Sequence, residues 1–255
     1  MNKLLIDRLV LGALQTNCYL LRREGSSAAV VIDPGDDVPA LDEAIARLAL
    51  YPEAVLLTHG HFDHLLGAHH IKEAYGAKVY IDKADAPALT EEKISLRPAD
   101  AVTPFEPTPP DGFLTEGEHE FAGIRFRVIP SPGHTMGGVC LLAEDDGVLF
   151  TGDTLWFGAD GGYSFISSLA EDNKLAVQSL AELERKLRAR GLHPYFITGH
   201  TGWTDNLEFA FAHKDKLCSP FKKRVHDPSA PYDAYDESDD TEENAKSGFL
   251  KGVGR

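Results

Sequence analysis

Three histidines and one aspartate lie within six residues of one another, directly after a short apolar run at residues 55–57. They are His59, His61, Asp63 and His64. Imidazole and carboxylate groups are natural protein ligands of zinc, iron and manganese. If the apolar run is a strand, the turn that follows it can direct these side chains toward a shared centre. The alternative is a solvated polar loop that happens to be rich in histidine. We interpret the segment as part of a metal site.

Three further potential ligands each follow a glycine at the end of another predicted strand: His134, Asp153 and His200. Glycine at such positions lets the backbone bend sharply and approach a site closely. Taken singly, Asp153 could cap a turn and His200 could be a hydrogen-bonded core histidine. A single tetrahedral zinc ion needs only three or four ligands, whereas this set has seven members. Seven ligands suit two metal ions that share one carboxylate and one water molecule.

The elements that must position these side chains alternate between strands and helices. Apolar runs bounded by turn residues predict strands at residues 4–11, 17–21, 28–32, 54–57, 78–81, 113–114, 119–121, 124–129, 139–143, 148–150 and 195–198. Helical spacing and end signals predict helices at residues 38–50, 65–75, 83–89, 170–190 and 205–216. Such alternation is typical of a layered α/β fold, whose strand ends cluster along one edge. The seven potential ligands are therefore expected to meet there.

Two connecting segments are predicted to be irregular. Residues 95–110 are rich in proline and lack periodicity, which indicates a surface loop and a candidate rim for a substrate cleft. Residues 158–162 are predicted to form a glycine-rich loop. His69 and His70 lie on the predicted helix at residues 65–75, more than a helical turn beyond His64. We expect them either on the helix surface or in a supporting position behind the ligands, and not among the ligands.

The composition restricts the class of partner. A formal net charge of −15 argues against a surface that grips nucleic acid or an anionic membrane. The three cysteines, Cys18, Cys140 and Cys218, form no CxxC pair and fit reduced thiols. No apolar run approaches the roughly 20 residues of a membrane span, and the N-terminus lacks the apolar core of a signal peptide. We therefore expect a cytoplasmic protein that binds a small-molecule substrate.

The character of the chain changes after residue 217. Residues 227–243 contain many acids and no basic residue, and such a segment usually cannot bury enough apolar area to fold alone. We therefore predict one catalytic domain at residues 1–217 and an acidic extension at residues 218–255. Its aromatic residues Tyr232, Tyr235 and Phe249 would dock the extension on the body or on a partner subunit, which allows a homo-oligomer.

Taken together, the motifs resemble those of the metallo-β-lactamase superfamily. They are an aspartate at a strand end followed by THxHxDH, PGHT, TGD and GH, and they span residues 33–200 in the family's order. Residues 14–19, with the sequence LQTNCY, are similar to the glyoxalase-II-like small hydrolases of that superfamily. The resemblance implies an αβ/βα four-layer sandwich, in which two central mixed β-sheets have helices outside and the metal ions lie at one edge.

The resemblance also implies how the ligands are divided between two metal ions that share Asp153 as a bridge. The first ion would be held by His59, His61 and His134. The second ion would be held by Asp63, His64 and His200. Asp33 would orient ligands without binding metal itself.

Such a ligand set implies a metal-dependent hydrolase. Two close cations, with Zn²⁺ as the first expectation and Fe or Mn as alternatives, lower the pKa of a bridging water and supply hydroxide near neutral pH. The hydroxide would attack a small ester, thioester, lactone or phosphoester, and one metal would stabilise the developing charge. Asp63 would orient this nucleophile and relay its proton. The segments expected near the site offer three substrate contacts, namely Tyr163, Lys174 and Trp203.

Some features depart from the glyoxalase-II pattern. Those relatives carry a Gly-Arg-x-Asp segment soon after the bridging aspartate, and residues 158–163 replace it here. The basic C-terminal residues that grip glutathione have no obvious match, which argues against a glutathione thioester substrate. Two other functions stay open. One is an iron-dependent oxidoreductase, like the persulfide dioxygenases, on the same ligands, and the other is a metal-binding module without turnover whose acidic extension binds a partner.

Overall fold

Two six-stranded mixed sheets form the centre of the protein. The computed structural model describes residues 2–99, 101–165 and 170–218. The first sheet contains, in spatial order, β1 (Leu4–Leu11), β2 (Thr16–Arg23), β3 (Ala28–Ile32), β4 (Tyr51–Leu56), β5 (Lys78–Ile81) and β6 (Gly112–Phe113). Strands β1 to β3 are antiparallel neighbours, whereas β3 to β6 run parallel.

The later strands build the second sheet and a smaller third sheet. In chain order they are β7 (Gly117–Phe121), β8 (Ile124–Pro130), β9 (Val139–Ala143), β10 (Val148–Phe150), β11 (Leu155–Gly158), β12 (Gly161–Phe165), β13 (Tyr195–Ile197), β14 (Trp203–Thr204) and β15 (His213–Cys218). The second sheet has the order β14-β13-β10-β9-β8-β7, and the third has the order β11-β12-β15. The third sheet was not expected from the sequence.

Helices cover the outer faces of the two large sheets. Those of the described residues are α1 (Val38–Arg47), α2 (Phe62–Leu65), α3 (Ala68–Tyr75), α4 (Asn173–Ala189) and α5 (Leu207–Ala210). One apolar core fills the space between the sheets, a second lies under α1 and α3, and a third lies under α4 and α5. This arrangement is the predicted four-layer αβ/βα sandwich. No helix of the described residues is long and apolar enough to cross a membrane.

Strand β3 illustrates why the predicted strands are so apolar. Val30 and Ile32 face the core between the sheets, while Ala29 and Val31 face the core beneath the helices. A strand that is buried on both faces needs apolar residues at successive positions, so it gives a continuous apolar run. β9 and β10 are also buried at every position, and their predicted bounds agree with the structure, as do those of the partly exposed β5.

Local backbone signals set the helix ends. Asp37 accepts a hydrogen bond from the backbone N–H of Ala40 and begins α1. The helix was predicted to continue to residue 50, but it ends at Arg47 because Ala49 adopts a φ of +51°. The predicted helix at residues 65–75 is two helices, because the N–H of Gly67 turns away to donate to the carbonyl of Pro34 at 2.8 Å.

Two predictions near the C-terminal end of the described chain are wrong. Residues 158–162 are not an open loop, because β11 and β12 form an antiparallel hairpin there. The helix predicted at residues 205–216 is limited to the four residues of α5, and the chain then pairs with β12 as the parallel strand β15. The edge of β12 supplies backbone partners for β15, and this tertiary pairing overrides local helix propensity.

Aromatic packing supports this change of structure after α5. Phe209 lies 5.8 Å from Phe157, and Phe211 lies 5.4 Å from Phe196 between ring centroids. The helix begins at Leu207, two residues after its predicted start at residue 205, because the side chain of Asn206 caps it by accepting the N–H of Phe209. The predicted domain end at residue 217 falls within β15, and the acidic extension beyond Cys218 lies outside the described residues.

The end of the sandwich that carries the β9–β10 turn is closed by a buried ion pair. Arg23, at the end of β2, donates to both carboxylate oxygens of Asp146 at 2.6 and 2.9 Å. It also donates to the carbonyls of Gly123 and Asn2 at 3.1 and 3.2 Å. These contacts join the first sheet to two turns of the second sheet.

Candidate metal centre

The seven potential ligands meet at one edge of the two central sheets, as the strand ends predicted. They lie on the turn after β4 and on α2 (His59, His61, Asp63 and His64), on the β8–β9 loop (His134), on the 3₁₀ turn after β10 (Asp153) and on the turn after β13 (His200). All seven are at least nine-tenths buried. Because β4, β10 and β13 all end at this edge, residues from distant parts of the chain share one small volume.

Their donor atoms form three overlapping groups, and the atoms of each group lie within 4.8 Å of one another. The first group is His59, His61 and His134. The second group is Asp63, His64 and His200. A third group, His59, His64 and Asp153, joins the other two. Each group could hold a metal ion, and the first two have the same members as the division implied by the family resemblance.

Asp153 occupies the position between these groups. Its Oδ2 lies 3.4 Å from Nε2 of His134 and 3.3 Å from Nε2 of His200. The same oxygen is 4.0 Å from Nε2 of His59, and Oδ1 is 3.5 Å from Nε2 of His64. One carboxylate therefore faces ring nitrogens of both histidine groups.

Asp33 determines which ring nitrogen of two histidines faces the centre. Its Oδ1 accepts the N–H of Thr58, and its Oδ2 accepts the Thr58 hydroxyl at 2.7 Å and Nδ1 of His64 at 2.9 Å. Because the Thr58 hydroxyl gives its proton to Asp33, it accepts the Nδ1 proton of His59 at 3.1 Å. In the neutral form that binds metal, both imidazoles therefore carry the proton on Nδ1 and turn a bare Nε2 toward the site.

The chemistry of the donor set fits a cation. The buried Nε2 of His59 has no hydrogen-bond partner among the described residues, and the carboxylate oxygen 4.0 Å away is itself an acceptor. Nδ1 of His61 and Nε2 of His134 face each other at 2.9 Å. Buried lone pairs that converge in this way are costly unless a proton or a metal ion satisfies them. Imidazole and carboxylate together suit zinc, iron or manganese.

The pKa shifts of the histidines differ between the two main ligand groups. Burial lowers the pKa values of His59, His61 and His134, that of His134 to about 3, so these imidazoles stay neutral. Burial also opposes the charge of His64 and His200, but neighbouring carboxylates outweigh it and raise both pKa values. In turn, burial disfavours ionisation of Asp63 and Asp153, and the charged histidines more than compensate and lower both pKa values.

The start of β2 holds the second group of ligands in place. Thr16 donates to Oδ2 of Asp63 at 2.7 Å. The side chain of Asn17 donates to the carbonyls of Thr198 and Thr201 at 3.0 and 2.8 Å, on either side of His200. These residues belong to the LQTNCY segment, which the sequence analysis used only as a mark of resemblance. The structure gives the segment a positioning role.

Two other residues at the site were not singled out from the sequence. Asp85 joins the turn that carries His59 and His61 to the loop that carries His134, through hydrogen bonds to backbone and hydroxyl donors. The ring of Trp156 lies 5.8 Å from the ring of His200. Nothing in the local sequence marks Asp85, whereas the position of Trp156 three residues after Asp153 could have indicated it.

The contacts described for the three predicted substrate-binding residues do not include any of the seven ligands. Tyr163 donates to Asp160, and its ring lies 4.5 Å from the ring of His213 at an interplanar angle of 34°. Trp203 packs against Tyr195 and the core between the sheets. Lys174 is exposed in the first turn of α4. None of the three contacts a ligand in any interaction recorded for the described residues.

The two histidines set aside in the sequence analysis also lie away from the ligands. His69 forms a hydrogen bond with Thr108 at 3.1 Å, and His70 forms one with Asp42 at 2.8 Å. Neither belongs to a ligand group of the described residues. Both side chains are half-buried on α3, and these contacts agree with the prediction that neither is a ligand.

Known proteins are similar to this chain in sequence and in architecture. Hydroxyacylglutathione hydrolase GloC of Haemophilus influenzae is 33% identical over 167 residues, which cover 63% of this chain and 76% of the relative. The crystal structure of BLEG-1 B3 metallo-β-lactamase superposes with a TM-score of 0.70 and 27% identity, covering 82% of this chain and 97% of that one. The crystal structure of TTHA1623 in a di-iron-bound form superposes with a TM-score of 0.65 and 31% identity, covering 79% of this chain and 96% of that one.

The family model of the metallo-β-lactamase superfamily matches residues 11–221, which include all seven potential ligands and Asp33. Except for β1, of which it includes only Leu11, the match extends over the strands of both central sheets and over the site at their ends. With its four-layer sandwich and its His/Asp cluster at the sheet edge, the chain belongs to the metallo-β-lactamase superfamily.

Proposed function

We propose that the protein is a hydrolase that binds two divalent metal ions and cleaves a small ester, thioester, lactone or phosphoester. The observation that carries the proposal is the position of Asp153 between His134 and His200, at 3.4 and 3.3 Å. A carboxylate between two groups of ligands can serve one metal ion with each group. The relative named as a hydroxyacylglutathione hydrolase supports hydrolysis as the chemistry.

The residues of the chain would hold and orient the reacting groups. Two cations bound here would lower the pKa of a shared water and supply hydroxide near neutral pH. Asp63 would orient that nucleophile and take its proton, and the hydrogen bond from Thr16 at 2.7 Å limits rotation of the Asp63 carboxylate. Asp33 keeps Nε2 of His64 directed at the centre by holding its Nδ1 proton.

We propose that the substrate differs from a glutathione conjugate. At residues 158–163, where glyoxalase-II-like proteins carry Gly-Arg-x-Asp, this chain places the exposed carboxylate of Asp160, which accepts the Tyr163 hydroxyl at 2.8 Å. A carboxylate there does not provide the positive charge that an anionic thiol carrier would require. Lys174 is retained as a substrate contact, because the start of α4 packs on the loop of His134: Glu171 N–H donates to the His134 carbonyl at 3.1 Å.

Zn²⁺ is the metal we propose first, since imidazole and carboxylate ligands suit it well. The likeness to TTHA1623 in its di-iron-bound form supports iron as the alternative, and with iron an oxidoreductase in place of a hydrolase. Metal analysis of anaerobically purified protein distinguishes the two. Redox-active iron without hydrolysis of any substrate in a broad panel would favour the oxidoreductase.

The test is an activity panel of thioesters, esters, lactones and phosphodiesters on metal-quantified protein. The double variant His59→Ala/His61→Ala should lose metal and all hydrolysis. His70→Ala is the matched control, because His70 is a histidine of the same region whose Nε2 bonds only to Asp42 in the described contacts. Full activity in the double variant would overturn the ligand assignment, and tight metal binding without any turnover would favour the non-enzymatic module.

A further inference from the structure

Asp85 is a buried carboxylate at the edge of the metal centre that contacts none of the seven ligand side chains directly. It lies just before a 3₁₀ turn, Ala86–Leu89, and is 5% exposed. Its Oδ2 accepts the N–H of Gly60 at 2.7 Å and the hydroxyl of Thr135 at 2.6 Å, and its Oδ1 accepts the N–H of Gly137 at 2.6 Å. Among the described residues, no basic side chain forms an ion pair with it.

The donors to Asp85 come from the two segments that carry the three-histidine group. Gly60 lies between His59 and His61, and Thr135 directly follows His134. The carboxylate therefore fixes the separation of two backbone segments whose histidines face each other at 2.9 Å. None of its hydrogen bonds reaches α2 or the turn of His200, which carry the second group.

The two segments that donate to the carboxylate also pack closely against it. A side-chain carbon on Gly60 would lie 2.9 Å from the Ala88 side chain and 3.2 Å from that of Asp85. A side-chain carbon on Gly137 would lie 2.6 Å from the Asp85 carboxylate. The two segments thus close directly on Asp85, and a residue that cannot accept these hydrogen bonds would leave buried donors unsatisfied.

We propose that Asp85 is a positioning residue that sets the metal affinity of the three-histidine group and leaves that of the second group unchanged. The inference rests on the proposed two-metal function. Asp33 holds His64 of the second group directly and reaches His59 only through the Thr58 hydroxyl. The two buried carboxylates therefore divide the support of the site unequally, and Asp85 serves the three-histidine group alone.

Asp85→Asn tests this division with little change in volume. An amide has one oxygen, so in either orientation an N–H donor of Gly60 or Gly137 faces an NH₂ group instead of an acceptor. Loss of such supporting contacts typically lowers metal affinity about 10–100-fold. We expect this loss in one of two binding steps, with the other step unchanged.

The measurement is a titration of metal-free protein with Co²⁺, followed by visible absorption and by competition with a chelator. Asp36→Asn is the matched control, since Asp36 is also a buried carboxylate that accepts two backbone N–H groups, those of Val102 and Thr103, outside the ligand segments. The control should bind two equivalents as the unaltered protein does. His134→Ala identifies which binding step is affected, because it removes a ligand of the three-histidine group and leaves the second group to bind the remaining ion. Adding Asp85→Asn to His134→Ala should not weaken the binding of that ion further.

Should Asp85→Asn fail to fold, Thr135→Val removes one donor to Asp85 and should weaken the same step to a smaller degree, while Thr135→Ser should restore it. Unchanged affinity in Asp85→Asn or Thr135→Val, or equal weakening of both steps, would refute the role of Asp85. If the unaltered protein binds fewer than two ions, the proposed two-metal function fails instead, so the two failures are distinguishable.

Discussion

Replacing Gly133 by alanine should lower both the free energy of unfolding and the affinity for metal. Gly133 precedes His134, and its φ of +132° is a conformation that residues with a side chain rarely adopt. A side-chain carbon there would lie 2.1 Å from the backbone nitrogen of Ala176 in α4. The loop cannot easily withdraw, because the N–H of Asp172 donates to the carbonyl of Gly133 at 2.9 Å.

The cost can be worked from these two effects. The backbone conformation costs an alanine about 1–3 kcal/mol. Overpacking against the backbone of α4 adds about 1–3 kcal/mol, so the total loss is about 2–6 kcal/mol. Gly147 is the matched control, because it has a φ of +68° with no atom within 4 Å of an added side-chain carbon. Gly147→Ala should therefore lose only about 1 kcal/mol.

Urea denaturation of the metal-free variants measures both losses, and chelator competition measures metal affinity. If the loop relieves its strain by moving His134, metal binding must return the loop to the strained conformation. Each 1.4 kcal/mol of strain energy that binding must restore weakens metal affinity about tenfold. Gly147→Ala lies in the β9–β10 turn at the far end of the sandwich and should leave metal affinity unchanged. Equal destabilisation by the two variants, with equal metal affinity, would refute the close packing of the His134 loop on α4.

Three further changes test other parts of the structure. Asp33→Asn should lower metal affinity about 10–100-fold by chelator competition, because it loses its hold on His64, and unchanged affinity would contradict that role. Arg23→Met leaves the buried Asp146 unpaired, so it should lower the free energy of unfolding by about 3–5 kcal/mol in urea denaturation and leave metal affinity unchanged. A loss below about 1 kcal/mol would show that the pair contributes no more to stability than an exposed salt bridge does. Burial raises the pKa of Cys140 to about 11, so iodoacetamide at pH 8 should label it only after unfolding, as peptide mass spectrometry would show; rapid labelling of the folded protein would refute its burial.

The sequence predicted the central architecture well because burial on both faces leaves a strong local signal. Strands such as Val139–Ala143 and Val148–Phe150 are apolar throughout and end at turn residues, so even their bounds were predictable. The convergence of the seven potential ligands was predictable for a related reason. Each follows a recognisable strand, and strand ends of a layered fold share an edge.

What the sequence did not reveal depends on contacts between distant segments. The strand His213–Cys218 forms on the edge of β12, and its own residues carry no clear strand pattern. Asp85 stands in an alanine- and proline-containing stretch that resembles the start of a surface helix, and its importance comes only from Gly60, Thr135 and Gly137. Tertiary hydrogen bonds of this kind have no periodicity that a single sequence can display.

The hydrogen bond from Asn17 to Thr198 also has a consequence for the order of folding. The two residues are 181 positions apart, and Tyr19 donates to the same carbonyl at 2.7 Å. Contacts of such sequence separation form only after the large entropy of loop closure has been offset elsewhere. During synthesis, the first hairpin must therefore wait for nearly the whole domain before the turn of His200 can be fixed. The site is completed late, when the turn after β13 reaches β2.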